Sequence, residues 1–411
     1  MRITILTQYF PPETGAPQNR LFSLAGHLQA EGNEVHVLTA MPNYPQMIIA
    51  EGYKGAFYRT EILDNIQVTR SWIYVTTSKS ILPRLLNYFS FVISSFFAGL
   101  FARRKADLII CESPPLFLGI TAVALKWIKR SKLVMNISDL WPESAEKLGL
   151  VKNKMMLDLS YSLEAWLYRK SALVSCQTKG IASNITHRFP TIKTHWLPNG
   201  IDFNQFNLNA SGVPFREKLK LKKSDFVLLY AGIIGHAQGL EVILHAASKL
   251  KIHHNIHFVL VGDGPVKPAL EQLNSHLRLS NVHFVGNVPR DQMSEVVAAC
   301  DAYIVPLKKS DLFLGAVPSK LFEPLALQKP ILLGVDGEAR ELFIEAAKAG
   351  LFFEPENFEE LSKQITVLFN NEDLRKEMGK SGLDFISKKF NRETIALDFN
   401  SKLIELCSIE K

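Results

Sequence analysis

The stretch "DFVLLYAGIIGHAQGLEVILHAA", residues 225–247, carries a short apolar run, a glycine-bearing loop and an amphipathic helical pattern in direct succession. The run over 225–232 has the length of a buried strand. The pattern after it predicts a helix over 239–252, because apolar residues recur there at helical spacing. A strand that passes through a turn into a helix is the repeating unit of α/β sheets. This stretch therefore predicts a parallel sheet covered by helices.

The same alternation of strands and helices runs along the whole chain. The predicted strands are 2–7, 34–39, 66–74, 107–112, 132–138, 172–177, 194–200, 225–232, 256–264, 282–288, 302–307, 330–335 and 350–355. The predicted helices are 17–31, 84–104, 117–129, 155–170, 239–252, 265–276, 291–299, 319–328, 338–347 and 357–370. We therefore expect two doubly wound α/β domains facing each other across a cleft, with ligands at the carboxyl ends of the strands.

The length of 411 residues favours two or three domains. The polar stretch 203–224 contains Asn, Gly, Ser and Pro without apolar periodicity, which is typical of a linker. The predicted domains are Rossmann-like units over 1–202 and 225–385. A C-terminal helix over 386–411 follows, with the option of crossing back to the first domain.

The composition, 47% hydrophobic and 21% charged residues, is that of a folded soluble protein. The net charge of +7 suits an anionic partner such as a nucleotide, a phosphate or a bilayer surface. Lysines and arginines do not cluster with aromatic residues, so we expect no nucleic-acid partner. The four cysteines lie far apart, which argues against zinc and for a reduced cytosolic compartment. The apolar run at the N-terminus is too short and interrupted for a signal peptide.

Glycines follow the predicted strands at positions where a phosphate or a sugar hydroxyl could be received. In the second half they are Gly232, Gly235 and Gly239, with His236 and Gln238 as the side chains able to donate. The spacing is not G-x-G-x-x-G, so it does not support a nicotinamide or flavin cofactor.

Two further glycine positions leave alternatives open. Gly15, in "YFPPETGAPQNRL" (9–21), permits a tight or left-handed turn and is equally compatible with an ordinary βα turn. In "VGDGP" (261–265), Gly262 and Gly264 flank Asp263, and a simple turn into a helix that begins at Pro265 is favoured for Asp263.

The segment "VPSKLFEPLALQKP", residues 317–330, predicts a helix that carries Lys320 and Glu323 in its first turns. This pair is either a surface ion pair or part of a ligand site at a helix N-terminus.

Several motifs together resemble the retaining glycosyltransferases of family 4, which have the GT-B fold. They are "LPNGID" (197–202), "YAG…QGLEVILHAA", "VGDGP", "FVGNVPRDQM" (284–293) and "SKLFEPLALQKPIL" (319–332), in this order. The segments "ILTQYFPPETGAPQNRL" (5–21) and "DLWPES" (139–144) narrow the resemblance to a branch that includes N-acetyl-L-fucosamine transferases of O-antigen and capsule assembly. The resemblance implies that the N-terminal domain binds the acceptor and the C-terminal domain binds the nucleotide-sugar.

The resemblance also implies roles for individual residues. Glu323 matches the second glutamate of the family's two-glutamate motif, which binds the ribose hydroxyls, whereas the first falls at Gly315. Backbone amides of 314–317 are then expected to contact the donor sugar. The residues expected to bind the nucleotide-sugar are Gly15, Gly232, Gly235, His236, Gln238, Gly262, Val288, Gly315, Ala316, Val317, Ser319, Lys320 and Glu323.

The family's cationic diphosphate clamp falls at Ile233 and Gln238, neither of which is charged. Lys320 is the expected substitute, because charged groups make the strongest contacts to a diphosphate. The helix dipole and the free N–H groups at the start of the helix 319–328 add to it. We expect no metal, because the sequence has no clear paired-carboxylate site; "DLWPES" is a weak exception.

Many relatives place a catalytic histidine where this chain has Ser138 and Asp139. Asp139 is the first candidate for the base that accepts the proton of the acceptor hydroxyl, and capping of the following turn is the equally supported alternative. Glu143 is the second candidate base.

The segment "RLLNYFSFVISSFFAGLFARRK", residues 84–105, is the most apolar of the chain. A membrane span would cut the first domain in two, so two interpretations remain. Either the helix packs its apolar face on the sheet, or phenylalanines dip into a bilayer beside basic residues at the headgroups. These phenylalanines are Phe89, Phe96, Phe97 and Phe101, and the basic residues are Arg84, Arg103, Arg104 and Lys105.

The sequence thus predicts a cytosolic glycosyltransferase on the inner face of the bacterial cytoplasmic membrane. It would transfer a sugar, such as N-acetylfucosamine, from a UDP-sugar to a glycan on undecaprenyl diphosphate. One alternative is a transferase that acts on a small soluble acceptor, and another is a nucleotide-sugar-binding protein that has lost catalysis. A nucleotide-sugar epimerase is disfavoured, because its catalytic residues are not recognisable.

Overall fold

The computed structural model describes residues 1–13, 15–78, 81–102, 105–147, 149, 151–204 and 206–408. The chain divides into two units. Unit 1 comprises Met1–Asn199 and Arg392–Lys411, and unit 2 comprises Gly200–Asn391.

Within its described residues, unit 1 has an eight-stranded sheet. Its strands are β1 (Arg2–Leu6), β2 (Glu34–Ala40), β3 (Tyr58–Leu63), β4 (Ile66–Ser71), β5 (Leu108–Ser113), β6 (Lys132–Ile137), β7 (Leu173–Cys176) and β8 (Thr194–Trp196). The order is β3-β4-β2-β1-β5-β6-β7-β8, and all pairs are parallel except β3 with β4. The sequence analysis misses β3, because this edge strand is largely exposed and lacks an apolar run.

Helices cover both faces of this sheet. They are α1 (Ala16–Ala30), α2 (Ile81–Phe101), α3 (Leu118–Lys129), α4 (Glu143–Lys147), α5 (Lys154–Lys170), α6 (Lys179–Arg188) and the C-terminal helix Arg392–Ser408. One buried cluster joins the sheet to α1 and the C-terminal helix, and a second joins it to α2, α3, α5 and α6. Helix α2 is therefore the crossover between β4 and β5.

The described part of unit 2 has six strands, all parallel. They are β9 (Phe226–Ala231), β10 (Ile256–Val261), β11 (Val282–Val285), β12 (Ala302–Pro306), β13 (Ile331–Gly334) and β14 (Gly350–Phe352), in the order β11-β10-β9-β12-β13-β14. Its helices are α7 (Val213–Lys218), α8 (Glu241–Lys249), α9 (Lys267–Leu277), α10 (Met293–Ala298), α11 (Phe322–Ala326), α12 (Glu338–Arg340), α13 (Phe358–Asn370) and α14 (Glu372–Lys389), so the C-terminal helix is α15. A π-helical turn, Glu341–Ala346, follows α12.

The segment 203–224, expected as a linker, lies inside unit 2. Its helix α7 buries Phe215, and the Arg216 guanidinium donates to the main-chain oxygen of Ala299 at 2.7 Å. The C-terminal element also differs from the expected 386–411, because α14 continues to Lys389 and α15 begins at Arg392. Helix α15 belongs to unit 1.

Candidate functional site

Two glycine loops meet at the carboxyl ends of β9 and β10. The Gly232 amide donates to the main-chain oxygen of Val261 at 2.9 Å. Gly262 has φ +130°, and a Cβ there would lie 2.1 Å from the Gly232 oxygen. Only glycine fits such an approach of two backbones. Gly262 therefore packs the two loops against each other.

Asp263 accepts hydrogen bonds that stabilise the turn to which it belongs. Its Oδ1 accepts a hydrogen bond from the Gly264 amide at 2.8 Å, and its main-chain oxygen accepts from Ile234 at 2.9 Å. These contacts accord with the turn interpretation of "VGDGP".

The loop after β9 continues into a single 3₁₀ turn, His236–Gln238. The His236 side chain is exposed and Gln238 is half-buried. A Cβ at Gly235 would lie 3.1 Å from Gln238 Oε1, so the glycine leaves room for this side chain. Both expected donors therefore lie on one short turn next to the glycine loop.

Lys320 reaches this glycine loop from the segment after β12. Its Nζ donates to the Tyr230 hydroxyl at 2.8 Å and lies 4.3 Å from the centre of the Tyr230 ring. A Cβ at Gly232 would lie 3.2 Å from the same Nζ. Desolvation lowers the pKa of Lys320 to about 7. The lysine is therefore placed where the resemblance requires a cation, with a neutral partner.

Tyr230 is a site residue that the sequence analysis did not identify. Its hydroxyl donates to the main-chain oxygen of Ile233 at 2.6 Å while it accepts from Lys320. A tyrosine near the end of a strand gives no signal of this role, because the contact joins positions 230 and 320.

The helix that carries Lys320 is shorter than the predicted 319–328. The segment forms a 3₁₀ turn, Ser319–Leu321, followed by α11, Phe322–Ala326. Gln328 adopts φ +54°, which cannot continue a helix. An element this short has a weak dipole, so charge compensation depends more on Lys320 than we expected.

Glu323 is held by an arginine from a neighbouring loop. Arg290 Nη1 donates to Glu323 Oε1, and their side chains are 51% and 22% exposed respectively. Arg290 belongs to "FVGNVPRDQM", two residues after the partly exposed Val288. The motif contributes to the family resemblance, but no role was predicted for its arginine. The Lys320–Glu323 ion pair that we considered is thus not formed: each side chain has a different partner.

The loop 314–317 lies beside these residues in the sequence, and its last three residues are partly exposed. The Ala316 amide donates to the Phe313 oxygen at 2.9 Å. Within the residues that the structure describes, the amides of Gly315 and Val317 donate to no protein acceptor. A cavity of about 130 Å³ adjoins the loop and is lined in part by Leu314 and Lys308.

The strand ends of unit 1 carry a buried network of charged and polar side chains. Arg20 donates to Glu112 Oε1, to Ser138 Oγ at 2.7 Å and to Gln177 Oε1 at 2.7 Å. Asn136 Nδ2 donates to the other Glu112 oxygen at 2.5 Å. We call these five residues the buried network. The sequence analysis missed it, because its members come from four separate elements.

Asp139 follows the buried network directly. Its Oδ1 accepts from Ser144 Oγ at 2.5 Å, and its main-chain oxygen accepts from the Trp141 amide at 3.0 Å. The residue is exposed, yet desolvation by its surroundings raises the pKa of its carboxyl. Asp139 thus takes part in the local turn and keeps access to solvent, and both interpretations of its role remain.

Glu143, on α4, already has two partners. Its Oε1 lies 2.7 Å from Lys147 Nζ, and its Oε2 accepts from Asn184 Nδ2 at 3.2 Å. Both carboxylate oxygens of Glu143 therefore already have partners within the protein.

Of the alternatives at Gly15, the left-handed turn is excluded, because its φ of 167° is extended. A Cβ there would lie 2.4 Å from Gln18 Oε1, so the glycine makes room for a side chain. The buried Glu13 shapes this loop by accepting from the amides of Asn43 and Tyr44 at 2.7 and 2.8 Å.

Helix α2 buries apolar residues such as Phe91 and Ala98 together with polar ones, and it exposes a second apolar face. Its polar residues face the protein: Asn87 Nδ2 donates to the Tyr74 oxygen at 2.5 Å, Ser90 Oγ accepts from the Tyr74 amide at 2.8 Å, and Ser94 Oγ donates to the Trp72 oxygen. The opposite face is apolar and exposed. We call it the apolar stripe, and it consists of Leu82, Leu86, Phe89, Ile93, Phe97 and Phe101.

Three of the four phenylalanines that we expected at a bilayer lie on this stripe. Phe96 does not, because it packs against the buried cluster of unit 1. Arg84 and Lys105 are exposed, whereas Arg103 and Arg104 lie outside the described residues. In the described part of the chain, one helix, Leu82–Phe101, has the length and mean hydropathy (1.3) that a membrane span needs. The same residues contain no cluster of three metal-ligating side chains.

Comparison with known proteins covers both units. Residues 18–205 match the family model "Glycosyltransferase Family 4", and residues 214–384 match "Glycosyl transferases group 1". The chain is 27% identical over 396 residues to the putative colanic acid biosynthesis glycosyl transferase WcaI of Escherichia coli, covering 93% of this chain and 97% of WcaI.

A second relative covers a smaller part. The N,N'-diacetylbacillosaminyl-diphospho-undecaprenol alpha-1,3-N-acetylgalactosaminyltransferase of Campylobacter jejuni is 31% identical over 170 residues, 41% of each chain. Among solved structures, HepE of Anabaena in complex with UDP superimposes with a TM-score of 0.70 at 18% identity, covering 98% of this chain and 100% of HepE. This likeness shows a shared fold.

Proposed function

Because this chain is a family 4 glycosyltransferase with the GT-B fold, we propose that it transfers a sugar from a UDP-sugar to a lipid-linked glycan with retention of configuration. The observation that best supports binding of the sugar donor is the position of Lys320 at the glycine loop after β9. Its Nζ lies 2.8 Å from the Tyr230 hydroxyl. A partly dehydrated lysine at a glycine loop is suited to bind a diphosphate, because charge-assisted hydrogen bonds are its strongest contacts.

The nucleotide is assigned to unit 2. Lys320 takes the diphosphate, with His236 and Gln238 on the adjacent turn. Glu323 takes the ribose hydroxyls, which it can do with the carboxylate oxygen that Arg290 leaves free. UDP is the proposed nucleotide, since the Anabaena protein that shares this fold binds UDP.

The donor sugar is assigned to the loop 314–317. The amides of Gly315 and Val317 are available to sugar hydroxyls or to an acetamido oxygen. The neighbouring cavity of about 130 Å³ offers space for a substituent such as an acetamido group. An N-acetylated sugar such as N-acetylfucosamine is our proposal, and the N-acetylgalactosaminyl donor named for the Campylobacter relative supports this class.

The acceptor is assigned to unit 1. The Asp139 carboxylate accepts the proton of the acceptor hydroxyl while the bond between the sugar and the diphosphate breaks, a glycosidic bond forms and UDP leaves. A raised pKa brings this carboxyl closer to the operating pH, which favours general-base catalysis. Retention of configuration rests on the family resemblance. No metal takes part in the proposal, since Lys320 and backbone amides offset the diphosphate charge.

Membrane attachment belongs to the same proposal. The apolar stripe of α2 would enter the headgroup region of the inner leaflet, with Arg84 and Lys105 at anionic headgroups. This location suits an acceptor glycan on undecaprenyl diphosphate, as in the Campylobacter relative, and a role in surface polysaccharide assembly, as in WcaI. The protein would then act at the cytoplasmic face of the membrane.

The donor assignment is tested by thermal shift with a panel of UDP-, GDP- and dTDP-sugars. A ligand that binds only the folded state raises the melting temperature in proportion to the logarithm of its concentration over Kd. We expect stabilisation by UDP-sugars, largest for an N-acetylated one. Stabilisation by GDP- or dTDP-sugars alone would overturn the choice of nucleotide.

The membrane assignment is tested by sedimentation with vesicles that contain phosphatidylglycerol. Phe97→Ser with Phe101→Ser should release the protein without lowering its melting temperature, because both residues are exposed. Phe96→Ser is the matched control, since loss of a packed side chain should lower the melting temperature and leave vesicle binding intact. Undiminished binding of the Phe97, Phe101 variant would overturn the apolar stripe as the attachment surface, and absence of binding by the wild-type protein would favour a soluble acceptor.

A further inference from the structure

A row of aromatic rings begins on the apolar stripe and ends beside the candidate base. The Phe117 ring, at the start of α3, lies 4.9 Å from Phe89 and 5.6 Å from Trp141 between ring centres. We call these three residues the aromatic row. Phe89 belongs to the apolar stripe of α2, and Trp141 follows Asp139 by two residues.

The row is accessible along its length. Phe89 is exposed, and Phe117 and Trp141 are partly exposed. The helices beneath it are fixed to each other, since Thr121 Oγ1 on α3 donates to the Val92 oxygen on α2 at 2.6 Å. The aromatic row therefore lies on a fixed part of the surface of unit 1.

The chemical surroundings of the aromatic row differ between its two ends. At Phe89 the row joins the apolar stripe, whereas at its other end the Trp141 amide donates to the main-chain oxygen of Asp139 at 3.0 Å. Aromatic faces bind both hydrocarbon chains and the apolar faces of sugar rings. A ligand that matches this order has a hydrocarbon chain at one end and a polar, sugar-bearing group at the other.

A positively charged residue, Arg84, lies on α2 five residues before Phe89. Arg84 lies in the first turn of the helix and is exposed. It is also near Tyr9, which follows β1: burial raises the pKa of the Tyr9 phenol, and the Arg84 charge opposes that rise. An anionic group between the hydrocarbon chain and the sugar of such a ligand would therefore have Arg84 as a cation at this edge of unit 1.

We propose that the aromatic row binds the lipid-proximal end of the acceptor, namely the first isoprene units next to the diphosphate of a polyprenyl diphosphate. This inference rests on the proposed function, since it assumes a lipid-linked acceptor. It adds a recognition site: the row guides the acceptor from the bilayer surface to Asp139, and the enzyme distinguishes a polyprenyl diphosphate from bulk lipid.

The test compares vesicles of phosphatidylethanolamine and phosphatidylglycerol with the same vesicles containing undecaprenyl diphosphate. We expect the wild-type protein to bind the second set about tenfold more tightly. Phe117→Ala and Trp141→Ala should each remove this increment and leave binding to plain vesicles unchanged. Trp141→Phe should retain most of it, because the ring remains.

The outcomes separate this proposal from the one on which it rests. If wild-type protein binds both sets of vesicles equally, the aromatic row does not recognise the polyprenyl diphosphate and the inference is overturned. Absence of binding to either set would contradict the membrane assignment itself. Each variant is also checked by its melting temperature, and a Phe117→Leu variant, which preserves packing without the aromatic face, should lose the increment if Phe117→Ala fails to fold.

Discussion

The carboxyl ends of the strands carry charged side chains in both units, but the two sets are held differently. In unit 1, Arg20 and Glu112 are buried and share hydrogen bonds with three further side chains. In unit 2, Lys320 has the neutral Tyr230 as its partner, and Glu323 has the half-exposed Arg290.

The difference indicates that the charged residues of unit 1 hold the structure, whereas those of unit 2 are accessible to a ligand. A buried ion pair that shares hydrogen bonds with several neighbouring side chains is expensive to disturb and holds those neighbours in one arrangement. A lysine that lacks an anion, or a carboxylate held by a solvated arginine, can exchange its partner for a ligand at little cost. Unit 1 thus holds Asp139 next to a fixed network, whereas the charged side chains of unit 2 are available to the proposed nucleotide.

The largest expected effect is on catalysis in unit 1. Asp139→Asn keeps the shape and the hydrogen bond to Ser144 but removes the base, so turnover should fall by about 10²- to 10⁴-fold. The affinity for the UDP-sugar, measured by calorimetry, should stay near that of the wild type. Retained turnover would transfer the role to Glu143.

The next effect concerns stability. Arg20→Met leaves the Glu112 carboxylate buried without its cation, and we expect a loss of about 3–5 kcal/mol in the free energy of unfolding, measured by denaturant titration. Arg290→Met is the matched control in unit 2 and should cost about 0–1 kcal/mol, because that pair is near the surface. Equal losses in the two variants would contradict the distinction between the units. Adding Glu112→Gln to Arg20→Met should recover part of the loss.

A smaller effect is expected on nucleotide affinity. Lys320→Met removes a charged hydrogen-bond donor worth about 1.5–3 kcal/mol, so the Kd for the UDP-sugar should rise by about 10- to 100-fold. Unchanged affinity in calorimetry would refute the diphosphate role of Lys320.

The same variant should gain stability. The pKa of Lys320 in the folded protein, about 7, lies below the ordinary value of 10.5. The folded state therefore binds fewer protons than the unfolded state between these values, and the lysine costs most stability at pH 7 and below. The melting temperature of Lys320→Met should exceed that of the wild type at pH 7, and the difference should shrink as the pH rises toward 10.5.

The smallest effect is the pH dependence of binding. A diphosphate raises the pKa of Lys320, so binding takes up a proton once the pH exceeds about 7. The affinity for a UDP-sugar should be constant below this pH and fall by up to about tenfold per pH unit above it. The slope should vanish in Lys320→Met and persist in His236→Gln, which excludes the neighbouring imidazole as its source.

The sequence predicts the two sheets well, because strand and helix patterns are local. It misses β3, whose exposed residues carry no apolar run, and it extends the helix of Lys320 past its end at Ala326. The resemblance supplies positions such as Glu323, but the partners Tyr230 and Arg290 come from distant strands and loops. Contacts between residues that are far apart in the sequence cannot be predicted from the spacing of residues within a motif.

Helix α2 shows a second limit of sequence reasoning. The sequence shows that the helix is apolar with a polar stripe, but the polar stripe faces the protein beside buried residues such as Phe91, and part of the apolar surface faces outward. The backbone at Trp72 and Tyr74 needs hydrogen-bond partners, and Asn87, Ser90 and Ser94 provide them. The direction in which a helix faces is therefore decided by the backbone that it covers.

The return of the C-terminal helix to unit 1 has a consequence for biosynthesis. Asn33 Nδ2 donates to Asn400 Oδ1 at 2.9 Å, Lys132 Nζ donates to the Leu406 oxygen at 2.7 Å, and the buried core against β1 and α1 includes Phe399 and Leu403. The core of unit 1 over residues 1–199 is therefore completed only after residues 392–408 have been synthesised, while unit 2 can fold in the interval. A nascent chain that stops before Arg392 would contain all of unit 2 and a unit 1 with an open core, which exposes truncated products to proteolysis.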